Sequence, residues 1–374
     1  MMPSGERVLV VEHPGRAVLL TEPADPPLPE GAFDVRTVFS GLSAGTELSF
    51  FKGTHPHLSS GWDGELGLFG PWQRPAGYPV RRWGYMQVGR VGESRTPAVA
   101  PGSLVAMTYG HRGGYRGDPL VDRVVPLPGD LAPLLGIYVA HMGPICANGL
   151  LHAAAELHGS DVRELADGVR GRRVAITGSG VVGLVTALFA REHGAEAVVL
   201  IEATAARRAV GEALGFPVLD PADDPAVLLK TRWRHGPADR GADVVFQCRG
   251  QAASLALALR LLRPQGAVID LAFYQAGADE VRLGEEFHHN GLAVRSAQIG
   301  RVPRGMAHLW GRERLSAETI ALLRAVGDSI SRHVVTDVLP IEQAPGLLDA
   351  LARRKRHVLQ AVFTFGDDLP ATAP

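Results

Sequence analysis

Three glycines at a fixed spacing are the first residues with an evident chemical use. Gly178-x-Gly180-x-x-Gly183 follows a β-like run, "RRVAIT", and opens a helix-like one. The first glycine permits a tight turn, the second lets the backbone approach a pyrophosphate, and the third lets helix and strand pack closely. Val181 and Val182 begin the helix, where unpaired N–H groups and the positive dipole end favour phosphate. Glu202 ends the next β-like run, 19 residues past Gly183. A carboxylate there can bond ribose hydroxyls and repel a 2′-phosphate, which predicts NAD rather than NADP. Arg207 and Arg208 pull the other way, since a nearby cation can hold a phosphate; on a helix they also read as solvated surface charge.

Elements must hold these residues in place. From about Gly143 the chain alternates helix-like and strand-like runs. "CANGLLHAAAELHG" is helical, helices are expected over Gly183–His193, Ala205–Leu214 and Leu255–Leu262, and "AVVLIE", "DVVFQC" and "GAVIDLAF" read as strands. Strand-helix alternation with short connections predicts a parallel, doubly wound α/β sheet. The first half differs, with short β-like runs punctuated by Gly and Pro. "VRRWGYMQVGRVGE" (Val80 to Glu93) reads as one alternating strand broken by glycines. His55 to Pro79 shows no period and reads as an irregular loop. The closing strand is "HVLQAVFTF".

Composition excludes several classes. The chain has 374 residues, enough for two domains, with net charge −1 and 21% charged residues, so neither a polyanion partner nor an electrostatic membrane footprint is expected. Two cysteines, Cys146 and Cys248, are too few for a disulfide framework or a Cys-rich zinc lobe. The apolar run Val174 to Ala190 is short for a membrane span and carries glycines, threonines and a serine. A cytoplasmic protein is expected. No pair of histidines with a carboxylate shows a metal-binding spacing; "FHHNG" reads as surface.

The order of these blocks resembles the medium-chain dehydrogenase/reductase superfamily over nearly the whole chain. "SGLSAGTELS" is similar to the family's "SGxCGTDxH", and "GYMQVGRVGE" to "GHEfaGvVxxvG". "GADVVFQCRG", "LALRLLRPQGAVIDLAF" and "LPIEQAPGLLDALARRKRHVLQAVF" match later blocks. The resemblance implies a GroES-like β-rich catalytic domain at 1–144, a Rossmann NAD-binding domain at 145–297, and a return to the catalytic domain at 298–374. It also implies a homodimer.

Departures from the family pattern are informative. Its first zinc ligand falls on Ser43 or Ala44, its second on Tyr85 with Met86 beside it, and its third near Gly143 or Pro144. None is a good zinc ligand, so the resemblance is to a zinc-free branch. Without a Lewis acid, hydrogen-bond donors or a general acid must stabilise a developing alkoxide. Tyr85, in the lost histidine's place, is the candidate donor, and the alternative is a tyrosine that plugs the vacated site. Thr46 matches the hydroxyl that relays a proton in zinc-dependent members. Glu47 takes the place of a family Asp, and the alternative is a purely structural role. His111 is the local titratable group near neutral pH, or else a solvated loop residue. The resemblance implies pocket roles for Ser43, Tyr109, His141, Asn148 and Arg301. It places Cys248, Arg249, Leu271, Ala272 and Phe273 along the cofactor.

The leading reading is a zinc-independent NAD-dependent oxidoreductase that interconverts a secondary alcohol and its ketone, the alcohol being a polyol, a sugar or a biosynthetic intermediate. The alternatives are a quinone- or enoyl-type alkene reductase and a redox-inactive NAD-binding sensor. The expected partner is a small-molecule substrate, with no nucleic acid and no membrane.

Overall fold

The computed structural model describes residues 5–23 and 26–366. The chain divides into two compact units, one running through His141 and resuming at Val335, the other spanning Met142–Val334.

The first unit contains β1 (Gly5–His13), β2 (Arg16–Pro23), β3 (Phe33–Gly41), α1 (Ala44–Lys52), α2 (Pro56–Ser59), β4 (Gly61–Asp63) and β5 (Leu68–Gly70). It continues with β6 (Gln87–Ser94), β7 (Leu104–Met107), β8 (Gly114–Gly117) and β9 (Val125–Pro126). A main sheet runs β6-β7-β9 on one side of β3, while β8 also pairs β3. Period-two alternation on β3 buries Phe33, Val35, Thr37 and Phe39. Phe33 and Val35 pack with Val91, Val105, Met107 and Tyr109. A second core joins Leu9, Val11, Leu42, Phe51 and Trp83 to residues of the returning chain, including Leu347 and Phe363.

Two sequence expectations fail in this unit. Val80 to Glu93 is not one strand, because β6 starts only at Gln87. Val80 makes an isolated bridge to Val11, and Gly84 then takes φ +94°. That left-handed turn suits glycine and breaks any extended run. The segment from His55 to Pro79 is irregular only in part. It holds α2 and the antiparallel β4–β5 hairpin. Asp63 accepts the N–H groups of Glu65 and Leu66, and Gly67 sits at φ +68°, so side-chain capping and one left-handed glycine close the turn. The hairpin exposes Trp62, Leu66, Leu68 and Phe69, which a period search reads as disorder.

The second unit contains α3 (Met142–His158), β10 (Arg173–Thr177), α4 (Val181–Glu192), β11 (Ala197–Ile201), α5 (Ala205–Ala213) and β12 (Val218–Leu219). Next come α6 (Pro225–Arg232), a short hairpin of β13 (Arg234–Gly236) and β14 (Asp239–Arg240), β15 (Ala242–Gln247), α7 (Ala252–Leu261), β16 (Leu262–Asp270), β17 (Ala293–Ser296) and α8 (Arg312–His333). Its six-stranded sheet has the order β12-β11-β10-β15-β16-β17, and every pairing in it is parallel. Continuous apolar runs such as "AVVLI" suit strands covered on both faces. The doubly wound α/β expectation therefore holds.

The first unit is completed by β18 (Val335–Pro340), α9 (Ala344–Ala352) and β19 (Gln360–Thr364). β19 pairs antiparallel with β3 and parallel with β18. The chain returns at Val335 rather than at 298, because α8 packs against α3 and stays with the parallel sheet. Among the described residues, no helix is long and apolar enough to cross a membrane.

Candidate functional site

In the second unit the glycine loop joins β10 to α4. Gly178 takes φ +96°, so it makes the turn the fingerprint requires. A Cβ at Gly183 would lie 1.8 Å from the Gly178 carbonyl oxygen, so only glycine lets α4 approach the loop. A Cβ at Gly180 would meet nothing within 4 Å, which leaves the loop face open for a ligand. The first-turn amides of Val181 and Val182 have no intrahelical acceptor by helix geometry.

Glu202 lies just past β11 and is buried. Its Oε2 accepts the Ser179 N–H at 2.9 Å and its Oε1 the Thr204 N–H at 2.8 Å. Burial works against its charge, yet these donors and the Arg207 guanidinium hold the carboxyl below its ordinary range. Arg249 places Nη1 3.6 Å from Glu202 Oε1, so a cation also borders this carboxylate. Arg208 is tied to the carbonyls of Glu202 and Ala203 and to Asp220, as a structural residue. Cys248 donates its N–H to Thr177 and packs by Gly183. Leu271 N–H is taken by Gln247 and Ala272 N–H by Asp270, so those two amides are not free for a carboxamide. Phe273 is exposed. The open loop, the helix start and the carboxylate fit a dinucleotide.

Sequence reasoning missed a polar network at the ends of these strands. Gln247 Oε1 accepts Thr177 and Ser254 hydroxyls, and its Nε2 donates to Tyr274 Oη at 3.0 Å. Tyr274 donates to Asp270 at 2.9 Å, and burial raises the proton affinity of both groups. Tyr274 lies in a loop with no periodic signal.

In the first unit, hydroxyls converge. Ser43, the N-cap of α1, is hydrogen-bonded to Tyr85 through its Oγ, and the Thr46 side chain also bonds the phenol. The Tyr85 ring packs on His141, centroids 4.4 Å apart. Burial pushes the phenol up to about 12, the Glu47 charge adds to this, and the Ser43 and Thr46 hydroxyls oppose it. Behind them lies a buried chain. Glu47 Oε2 meets His111 Nε2 at 2.7 Å, and His111 Nδ1 meets Ser40 Oγ at 2.7 Å. Trp83, Phe363 and Gly84 enclose the His111 ring; a Cβ at Gly84 would lie 2.8 Å from its Nε2.

Several expected site residues stand elsewhere. His111 is neither a solvated loop histidine nor a group that meets substrate, because Glu47 and Ser40 hold it in the core. Tyr109 is a core residue that bonds Thr37 at 2.8 Å and stacks on Tyr115, so it lines no pocket. Asn148 is buried and donates to the carbonyls of Ala297, Gln298 and Arg301, which makes it a loop anchor. Arg301 offers that carbonyl while its residue is exposed. Tyr85, Thr46, Ser43 and His141 do come together.

A zinc ion does not fit this donor set. Ser43, Tyr85 and Thr46 offer hydroxyls, Glu47 is committed to His111 and to Ser43 N–H, and no group of three His, Cys, Asp or Glu suited to a metal occurs among the described residues.

Comparison with known proteins agrees with this architecture. Residues 181–311 match the family described as "Zinc-binding dehydrogenase". A structure described as a zinc-binding dehydrogenase of Sinorhizobium meliloti 1021, bound to NADP, is 19% identical with TM-score 0.69, covering 96% of this chain and 99% of that one. The 2R,3R-butanediol dehydrogenase of Bacillus subtilis is 16% identical with TM-score 0.71, covering 96% and 100%. An alcohol dehydrogenase of E. coli CFT073 complexed with NADH is 12% identical with TM-score 0.71, covering 97% and 100%. These likenesses establish the fold. The segment match adds a likeness of residues 181–311 to that family.

Proposed function

We propose that this chain is a zinc-independent, NAD-dependent oxidoreductase that interconverts a secondary alcohol and its ketone. The alcohol is a polyol, a sugar or a biosynthetic intermediate. The observation that carries the reading is the convergence of the Tyr85, Ser43 and Thr46 hydroxyls. Solved structures of the same fold include one named for a diol, which supports the substrate class, and ones bound to NADH and to NADP, which support a nicotinamide cofactor.

NAD, when bound, supplies or accepts the hydride. The Gly178–Gly183 loop and the start of α4 would hold its pyrophosphate, and Glu202 would face the adenosine ribose. Glu202 favours NAD; Arg249 and Arg207 beside it are the groups that would admit NADP. The substrate carbonyl oxygen receives the Tyr85 O–H, and Ser43 and Thr46 donate to the phenol oxygen as charge develops on it. A positioned donor of this kind contributes about 100-fold to the rate. We also place the protein in the cytoplasm, acting on small molecules without nucleic acid or membrane partners.

The test is Tyr85→Phe. Turnover of a ketone panel with NADH should fall about 100-fold, while NADH affinity, read by fluorescence titration, stays unchanged. Wild-type turnover in the variant, or stoichiometric zinc in purified active protein, would overturn the proposal. The same phenol could polarise an enone, which favours an alkene reductase as the second reading. Saturated product from enones with NADPH preferred would select it.

A further inference from the structure

We infer that Glu47 is the positioning residue of the phenol: held by His111 and Ser40, it keeps Tyr85 a hydrogen-bond donor and disfavours its use as a base. The inference deepens the reading above and rests on it for its kinetic consequence only.

Glu47 lies in the first turn of α1 and is 1% exposed. Its Oε1 accepts the Ser43 N–H at 3.1 Å, and Ser43 Oγ in turn bonds Tyr85. One carboxylate therefore orients the residue that holds the phenol. Its Oε2 faces His111 Nε2. The tautomer follows from the neighbouring bonds. Ser40 Oγ already accepts Gln87 Nε2–H at 3.1 Å, and Gln87 Oε1 accepts the Gly110 N–H at 3.2 Å. An ionised Glu47 only accepts, so His111 Nε2–H donates to it, and in the neutral ring Nδ1 is left to accept the Ser40 hydroxyl proton. Every member of the chain is satisfied, and the carboxylate is enclosed beside the phenol.

Capping alone does not require this charge, because a neutral oxygen would accept the Ser43 N–H as well. Burying a carboxylate is costly. What the charge adds is repulsion of a second negative charge at Tyr85. The groups facing the phenol are Ser43, Thr46 and Glu47 from α1 and His141 from the segment ahead of α3. Glu47 is the acid among them. A phenol so placed gives its hydrogen bond to a carbonyl oxygen and resists becoming the phenolate needed to deprotonate an alcohol. The protonated phenol is thus the form that meets a ketone, and the range of pH over which it persists is what Glu47 sets.

The sign follows. The phenol donates while protonated, so reduction persists as pH rises until Tyr85 ionises, and losing the Glu47 charge moves that limit down. The experiment labels the six tyrosines with carbon-13 at Cζ in the full-length protein. Tyr85 is assigned with Tyr85→Phe, and its resonance is followed against pH. In the wild type it should stay unshifted past the ordinary value of about 10. In Glu47→Gln it should titrate about one unit lower, with Glu47→Asp restoring the wild-type course. With any ketone reduced, Glu47→Gln should lower kcat several-fold with KM within twofold. Identical titration in wild type and Glu47→Gln would sink the inference. So would a wild-type Tyr85 that titrates at 10 or below, a result that needs no variant to fold. A shifted titration alongside full turnover in Tyr85→Phe overturns the proposed function and leaves the inference standing.

Discussion

Replacing His111 by alanine strands two buried partners at once, the Glu47 carboxylate and the Ser40 hydroxyl. Breaking a buried pair by removing one member costs about 3–5 kcal/mol, because the remaining charge is neither solvated nor paired. His111→Ala should therefore lower the urea midpoint strongly, and an unchanged midpoint would show that water replaces the ring without penalty. At this scale Tyr85, Thr46 and Ser43 were legible, because two short motifs place them by comparison with a family pattern. The His111–Glu47 bond was not. Its partners stand 64 residues apart, and nothing in the spacing of either tells which side chain the other faces. Tyr109 misled for a related reason: a tyrosine after a strand can turn to the core or to a pocket, and its bond to Thr37 decided for the core.

The glycine loop and the helix after it were the clearest element in the sequence, since strand, turn and helix signals agree within a few residues. The structure separates what the three glycines do. Gly180 faces open space and Gly183 faces a carbonyl oxygen. Gly180→Ala should fold as the wild type does, with a melting temperature within about 2 °C, and weaken NADH binding about tenfold or more, since the methyl occupies the face the pyrophosphate approaches. Gly183→Ala should lower the melting temperature as well, because α4 must move off the loop. Equal melting temperatures for the two variants would contradict this division. The β4–β5 hairpin was illegible for the opposite reason. Its strands are three residues each, too short for alternation to register, and its turn depends on one carboxylate and one left-handed glycine.

For the whole molecule, the two-part architecture followed from the change in character near Gly143, but the point of return did not. That boundary depends on which partner α8 chooses, and an amphipathic helix does not name its partner in sequence. The parallel sheet ends at β17, whose Val294 is 43% exposed. An unpaired edge with an exposed apolar residue is a template for another strand, and the homodimer that the sequence resemblance implies would pair two such edges. A chain that dimerises through this edge should become monomeric in sedimentation on Val294→Lys, while its melting profile stays cooperative. A wild-type monomer at micromolar concentration would end the dimer proposal.

The pairing of β19 with β3 has a consequence for biosynthesis. The strand that completes the first sheet emerges from the ribosome roughly 320 residues after the one it joins. At about 5–20 residues per second, β3 waits tens of seconds for its neighbour. The Met142–Val334 segment is complete before then and can fold during the delay. Nascent chains stalled ahead of Gln360 would therefore carry a finished parallel-sheet half and an open, chaperone-seeking edge on the first sheet.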